Sequence, residues 1–85
     1  MTDKAAKLLE QLRRSPANCT RHDLELVYLG YGFRIRIGRK HDMAIHEKYK
    51  YLRATLPNHK SFAVGYVTSA IDLIDEVLRL EKQGG

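Results

Sequence analysis

The stretch Gly32–His59, GFRIRIGRKHDMAIHEKYKYLRATLPNH, decides the fold. Phe33, Ile35 and Ile37 alternate with Arg34 and Arg36, the pattern of a strand with one buried face and one basic face. Gly38-Arg39-Lys40 turns the chain. A second strand is expected from His41 to His46. Its phase stays open, because Met43, Ala44 and Ile45 are all apolar. Glu47 to Lys50 makes a loop. Leu52, Ala54 and Leu56 then alternate with Arg53 and Thr55 in a third strand, which Pro57-Asn58-His59-Lys60 breaks. Strands joined by turns this short are antiparallel.

Helical patterns flank this stretch. Before it, Thr2 is placed to cap a helix over Asp3–Arg14 with Ala5, Leu8, Leu9 and Leu12 on one stripe. Ser15-Pro16 ends that helix. Thr20-Arg21-His22-Asp23 reads as a capping box with Asp in place of the usual Glu. The helix it opens offers Leu24, Val27 and Tyr28 to a core, and Gly30 or Gly32 stops it. After the strands, Val64, Val67, Ala70, Ile71, Ile74, Val77 and Leu78 keep the spacing of one helical face. Burying each large apolar side chain of that stripe contributes about 1.5–3 kcal/mol. Gln83-Gly84-Gly85 is expected to fray.

The apolar faces of the strands need cover, and the helices carry stripes that can supply it. The expected fold is therefore α+β: a three-stranded antiparallel sheet with helices packed on one face, in the order α-α-β-β-β-α. Arg34, Arg36 and Arg53 are left on the open face. Residues 1–85 read as a single domain, with residues 1–14 an N-terminal helix and 83–85 a tail.

Charge follows the strands. From Arg34 to Lys60 the chain carries eight basic residues (Arg34, Arg36, Arg39, Lys40, Lys48, Lys50, Arg53 and Lys60) against Asp42 and Glu47. The whole chain carries +5, so the remainder is close to neutral. A small sheet holding the excess charge points to a polyanionic partner, most simply nucleic acid. The composition, 44% hydrophobic and 29% charged, is that of a soluble globule. No apolar run approaches the roughly 20 residues of a membrane span. The amphipathic start, MTDKAAKLLEQLRR, has no continuous apolar segment of the secretory kind. The single cysteine, Cys19, excludes an internal disulfide and fits a reducing cytoplasm. It stands in a polar turn, Pro16–Thr20, with nothing to activate it.

His41 is the best catalytic candidate. Arg39 and Lys40 precede it and can hold a phosphate while the imidazole moves a proton. In phase with Met43 and Ile45 it leans toward the core; out of phase it faces the basic surface. Asp42 points to the other side of the strand and does not orient it. His46 reads as a solvated strand end. His59 lies in a loop that can fold back over the basic face. The histidines and the distant Cys19 lack the spacing of a metal site, and no cofactor is expected. Tyr31, Tyr49, Tyr51 and Tyr66 can stack on bases, although partial burial at the sheet edge is the commoner fate. Ser61 and Ser69 lack an activating base.

Taken in order, several segments resemble one family. They are Ser15-Pro16-Ala17-Asn18, Leu24 through Tyr31-Gly32-Phe33, the basic turn with His41, and His46 at the next strand end. Leu56-Pro57-Asn58-His59-Lys60 and Gly65-Tyr66-Val67 through Ala70–Ile74 follow. This order resembles the HicA family of bacterial toxin components, over roughly residues 15–80. The resemblance implies a fold like that of double-stranded-RNA-binding domains. It implies a metal-independent endoribonuclease of a toxin–antitoxin system that acts on mRNA. His41 takes the position of the family's catalytic histidine, which usually follows Gly-Ser; here Arg39-Lys40 stand there and the glycine is Gly38. The candidate RNA-binding residues, read from the basic strands, turn and loop, are Arg34, Arg36, Arg39, Lys40, Arg53 and His59. The implied partner is a HicB-like antitoxin, with a homo-oligomer left open and no membrane. The other function carried by the same residues is a non-catalytic module that binds RNA or protein.

Overall fold

The computed structural model of the chain describes residues 3–56 and 64–84. Thr2 and His59, with Pro57, Asn58, Lys60 and Ser61, lie outside them. Helix α1 (Asp3–Arg14) is followed by a short 3-10 turn (Pro16–Asn18) and helix α2 (Arg21–Gly30). Strands β1 (Phe33–Arg36), β2 (Asp42–His46) and β3 (Arg53–Leu56) come next, then helix α3 (Val64–Gly84). The three strands form one antiparallel sheet in the order β1-β2-β3. The fold is thus α+β with the expected order of elements. No helix among the described residues is long and apolar enough to cross a membrane.

Local chemistry explains the boundaries. The capping box at α2 is complete: the Thr20 hydroxyl accepts from the Asp23 N–H, and the Asp23 carboxylate accepts from the Thr20 N–H. At its other end Gly32 adopts φ +92°, a conformation that costs other residues about 1–2 kcal/mol. A side chain at position 32 would also collide with the His46 ring, whose Nε2 lies 2.8 Å from where a Cβ would sit. That one glycine therefore turns the chain into β1 and makes room for His46.

The core lies between the sheet and the helices. Leu9 and Leu12 from α1, and Leu24, Val27 and Tyr28 from α2, meet Phe33, Ala44 and Leu56 from the sheet. Val67, Ala70, Ile74 and Val77 from α3 close the same cluster. The Tyr28 and Phe33 rings pack edge to face at 4.9 Å, and burial pushes the Tyr28 phenol pKa upward.

Four apolar positions behave differently from their pattern. Ile37 is 73% exposed, because β1 ends at Arg36 and the chain has already begun its turn. Val64 and Leu78 are exposed at the margins of the α3 stripe, which is wider than the surface it meets. Cys19 is buried in the core cluster rather than displayed in a polar turn. Burial, assisted by the nearby Asp23 charge, pushes its thiol up to about 11, so it stays protonated and unreactive. At the C-terminal end, α3 continues through Gln83 and Gly84.

Candidate nucleic-acid interface

The register sorts the sheet residues into two faces. Opposite residues on paired strands share a face. Arg34 pairs with Ile45, and Ile45 with Arg53; Arg36 pairs with Met43, and Met43 with Thr55. These six lie on the face away from the helices. The other face carries Phe33 opposite His46, Ile35 opposite Ala44 opposite Ala54, and Asp42 opposite Leu56. Asp42, Ala44 and His46 are buried, and Met43 and Ile45 are only partly so.

The phase of β2 is therefore the reverse of what apolarity suggests. Two polar residues point into the core, and the two largest apolar ones point outward among arginines. His41, one residue before the strand, is exposed and continues the outward column of Met43 and Ile45. In phase with those residues, it belongs to the basic surface. The column His41-Met43-Ile45 is bordered by Arg34 and Arg36 on one side and by Arg53 and Thr55 on the other. Neighbouring strands are about 4.8 Å apart, so Arg34 and Arg53 bracket the column at about 10 Å.

His46 is 4% exposed and is not the solvated strand end expected of it. Its Nδ1 accepts from the Lys48 and Tyr49 backbone N–H groups, each at 3.0 Å. A nitrogen that accepts twice carries no proton, so Nε2 holds it and donates to the Tyr31 carbonyl at 3.1 Å. The ring stands edge-on to Phe33 at 4.9 Å. His46 is thus a bracket that ties the loop after β2 to the end of α2, and it takes no part in the open face.

Asp42, 3% exposed, is equally committed. Its Oδ2 accepts from the Arg21 guanidinium at 2.7 Å, and its Oδ1 accepts from the Gly38 N–H at 3.1 Å. Arg21 first, then the Gly38 amide, hold this carboxyl below the usual aspartate range. A carboxyl depressed in the folded state stabilises above its unfolded value of about 3.9, and this stability is lost as pH falls through the lower folded value. The stability difference between wild type and Asp42→Asn, read from urea unfolding, is expected to be constant above about pH 5 and to narrow below about pH 4. A difference that widens in acid would show that the carboxyl is not held ionised.

The cations of the open face are loosely held. Arg34 pairs with Glu47 at 3.2 Å, but both are well exposed, and such pairs contribute about 1 kcal/mol or less. Arg53 donates to the Lys50 carbonyl through Nε and a terminal nitrogen. Among the described residues, Arg36, Arg39, Lys40 and His41 are exposed and make no side-chain hydrogen bond or ion pair. Of the predicted site residues, the structure therefore brings Arg34, Arg36 and Arg53 onto one face, with Arg39, Lys40 and His41 at its rim. Tyr31 and Tyr49 are half-buried, and Tyr49 donates to Glu81 of α3 at 3.1 Å. Tyr66 is exposed on α3, beside a cavity of about 540 Å³ between β3 and α3. That cavity also carries Asp72 and Glu76, a poor lining for a polyanion. Asp42, Arg21 and the His46 bracket carried no periodic signal, since each acts on a partner distant in sequence. Compared with protein-family models, with curated proteins and with solved structures, the chain matches none.

Proposed function

We propose that this protein is a cytoplasmic, HicA-like ribonuclease, the toxin half of a toxin–antitoxin pair, acting on mRNA through its open sheet face. The observation that carries the reading is the column His41-Met43-Ile45, with Arg34 and Arg36 along one side and Arg53 on the other. Phosphates meet Arg34, Arg36 and Arg53, while unpaired bases lie over the apolar column. Residues two apart on a strand are about 6.6 Å apart, a spacing that suits successive nucleotides of an extended chain.

At the rim, RNA supplies its own nucleophile. The 2′-hydroxyl attacks the adjacent phosphorus, and its proton passes to the His41 imidazole. Arg39 and Lys40 stabilise the charge of the phosphorane. The bond to the 5′-oxygen breaks, and that oxygen takes a proton from the imidazolium. The products are a 2′,3′-cyclic phosphate and a 5′-hydroxyl. A HicB-like antitoxin is the expected protein partner, covering the same face.

Purified protein is expected to cleave single-stranded RNA in EDTA and to leave cyclic-phosphate ends. Binding, measured with the His41→Ala protein, is expected to weaken steeply with salt, and each change of Arg34, Arg36 or Arg53 to Gln should lower the slope by about 0.7. A slope unchanged by all three changes would remove the sheet face from the interface. A second reading is an RNA-binding module without cleavage. It is favoured by His41 having no orienting hydrogen bond among the described residues. Salt-sensitive binding without cleavage in the same assay would decide for it.

A further inference from the structure

The turn that carries Arg39, Lys40 and His41 is fixed from beneath. A Cβ at Gly38 would lie 2.3 Å from the His41 carbonyl oxygen, so the two ends of the turn are in close contact and only glycine fits at its start. Asp42 grips that start through the Gly38 N–H. Its other oxygen is held by Arg21, in the first turn of α2, and Arg21 is held in turn by Glu25 through Nε at 2.7 Å. The complete capping box at Thr20 and Asp23 fixes where α2 begins. Two hydrogen bonds, Arg21 to Asp42 and the Gly38 N–H to Asp42, therefore link the first turn of α2 to the basic turn.

A buried carboxylate is an expensive way to satisfy one amide, since removing a charge from water costs several kcal/mol unless it is well paired. An asparagine would accept from Gly38 equally well without needing an arginine. What the carboxylate adds is the connection to α2. We propose that Asp42 is a positioning residue for the site: through the Gly38 amide and Arg21 it sets the turn, and with it His41, in one place relative to the sheet. It does this without touching the imidazole. The inference rests on the ribonuclease reading for its catalytic consequence and on the geometry alone for its structural one.

The experiment compares wild type, Asp42→Ala, Asp42→Asn and the double variant Arg21→Gln/Asp42→Asn. Each is assayed for RNA cleavage and, by NMR, for exchange of the Gly38 amide and for the His41 ring resonances. Asp42→Ala is expected to lower kcat about 10–100-fold with KM nearly unchanged, the mark of misplacement rather than lost binding. Gly38 exchange should accelerate at least about 10-fold while the Val27 and Ala44 amides keep their protection. Asp42→Asn should fall between, and the double variant should recover most of kcat, because its two amides can hydrogen-bond each other and the charge left without its partner, Glu25, is partly exposed to water. Should Asp42→Ala not fold, the Asn variant and the double variant carry the comparison. A folded variant with unaltered kcat and Gly38 exchange overturns the proposal. So does a loss of activity that merely tracks the unfolded fraction. If wild type cleaves no RNA, the ribonuclease reading has failed, and Gly38 exchange with the His41 resonances still decides whether Asp42 sets the turn.

Discussion

His41→Ala is expected to lower RNA cleavage by about 10²–10⁴-fold, the range associated with a positioned proton-transfer group. The change should leave the thermal midpoint and RNA affinity nearly as they are. Both halves follow from placement. His41 is exposed and precedes β2, so its ring supports no core contact. Arg34, Arg36 and Arg53 lie along the sheet, away from His41, so the phosphate contacts proposed for them do not depend on its ring. The same substitution should abolish growth arrest when the protein is expressed without a partner. Retained cleavage by a folded His41→Ala protein would move the chemistry elsewhere, and lost binding would make His41 a contact residue instead.

The other large effect concerns stability. His46→Ala is expected to cost about 2–4 kcal/mol, since each hydrogen bond lost from a part-buried site costs about 0.5–1.5 kcal/mol and the ring leaves a gap beside Phe33. Three are lost at once: those to the amides of Lys48 and Tyr49 and to the carbonyl of Tyr31. For a chain of 85 residues, total stability is about 4–13 kcal/mol, so a loss of this size is a large share of it. His46→Asn offers a contrast. Its carbonyl oxygen can accept from amides two and three residues on, as asparagine does in turns, but it does not reach Tyr31. A loss of about 1–2 kcal/mol is expected there, one hydrogen bond and some ring packing. Urea unfolding of the two variants checks this. An alanine protein within about 1 kcal/mol of wild type would show that the bracket is ornamental.

These two histidines show what the sequence revealed and what it hid. The order of elements was legible because each leaves a local trace: alternation in Phe33–Arg36, a reciprocal pair at Thr20 and Asp23, a helical stripe from Val67 to Val77. The basic face was legible for the same reason, since alternation alone puts Arg34 and Arg36 opposite the buried side. The phase of β2 was not. Met43-Ala44-Ile45 fits either face, and hydropathy favours the wrong one. The choice is made by partners remote in the chain, Arg21 and Gly38 for Asp42 and Tyr31 for His46. Cys19 misled in the same way: its neighbours in sequence are polar, and its neighbours in space belong to the core. Ile37 continued a pattern whose strand had already stopped.

The central strand of this sheet lives with a rival. Rotated by one residue, it would offer methionine and isoleucine to the interior and send aspartate and histidine into water, and transfer free energy alone would favour that exchange. What prevents it is fit: the aspartate and the histidine each find waiting donors and acceptors that a greasy side chain cannot use. In this small protein the buried polar atoms act less as adhesive than as arbiters, choosing between two otherwise competitive ways of laying one ribbon against the helices.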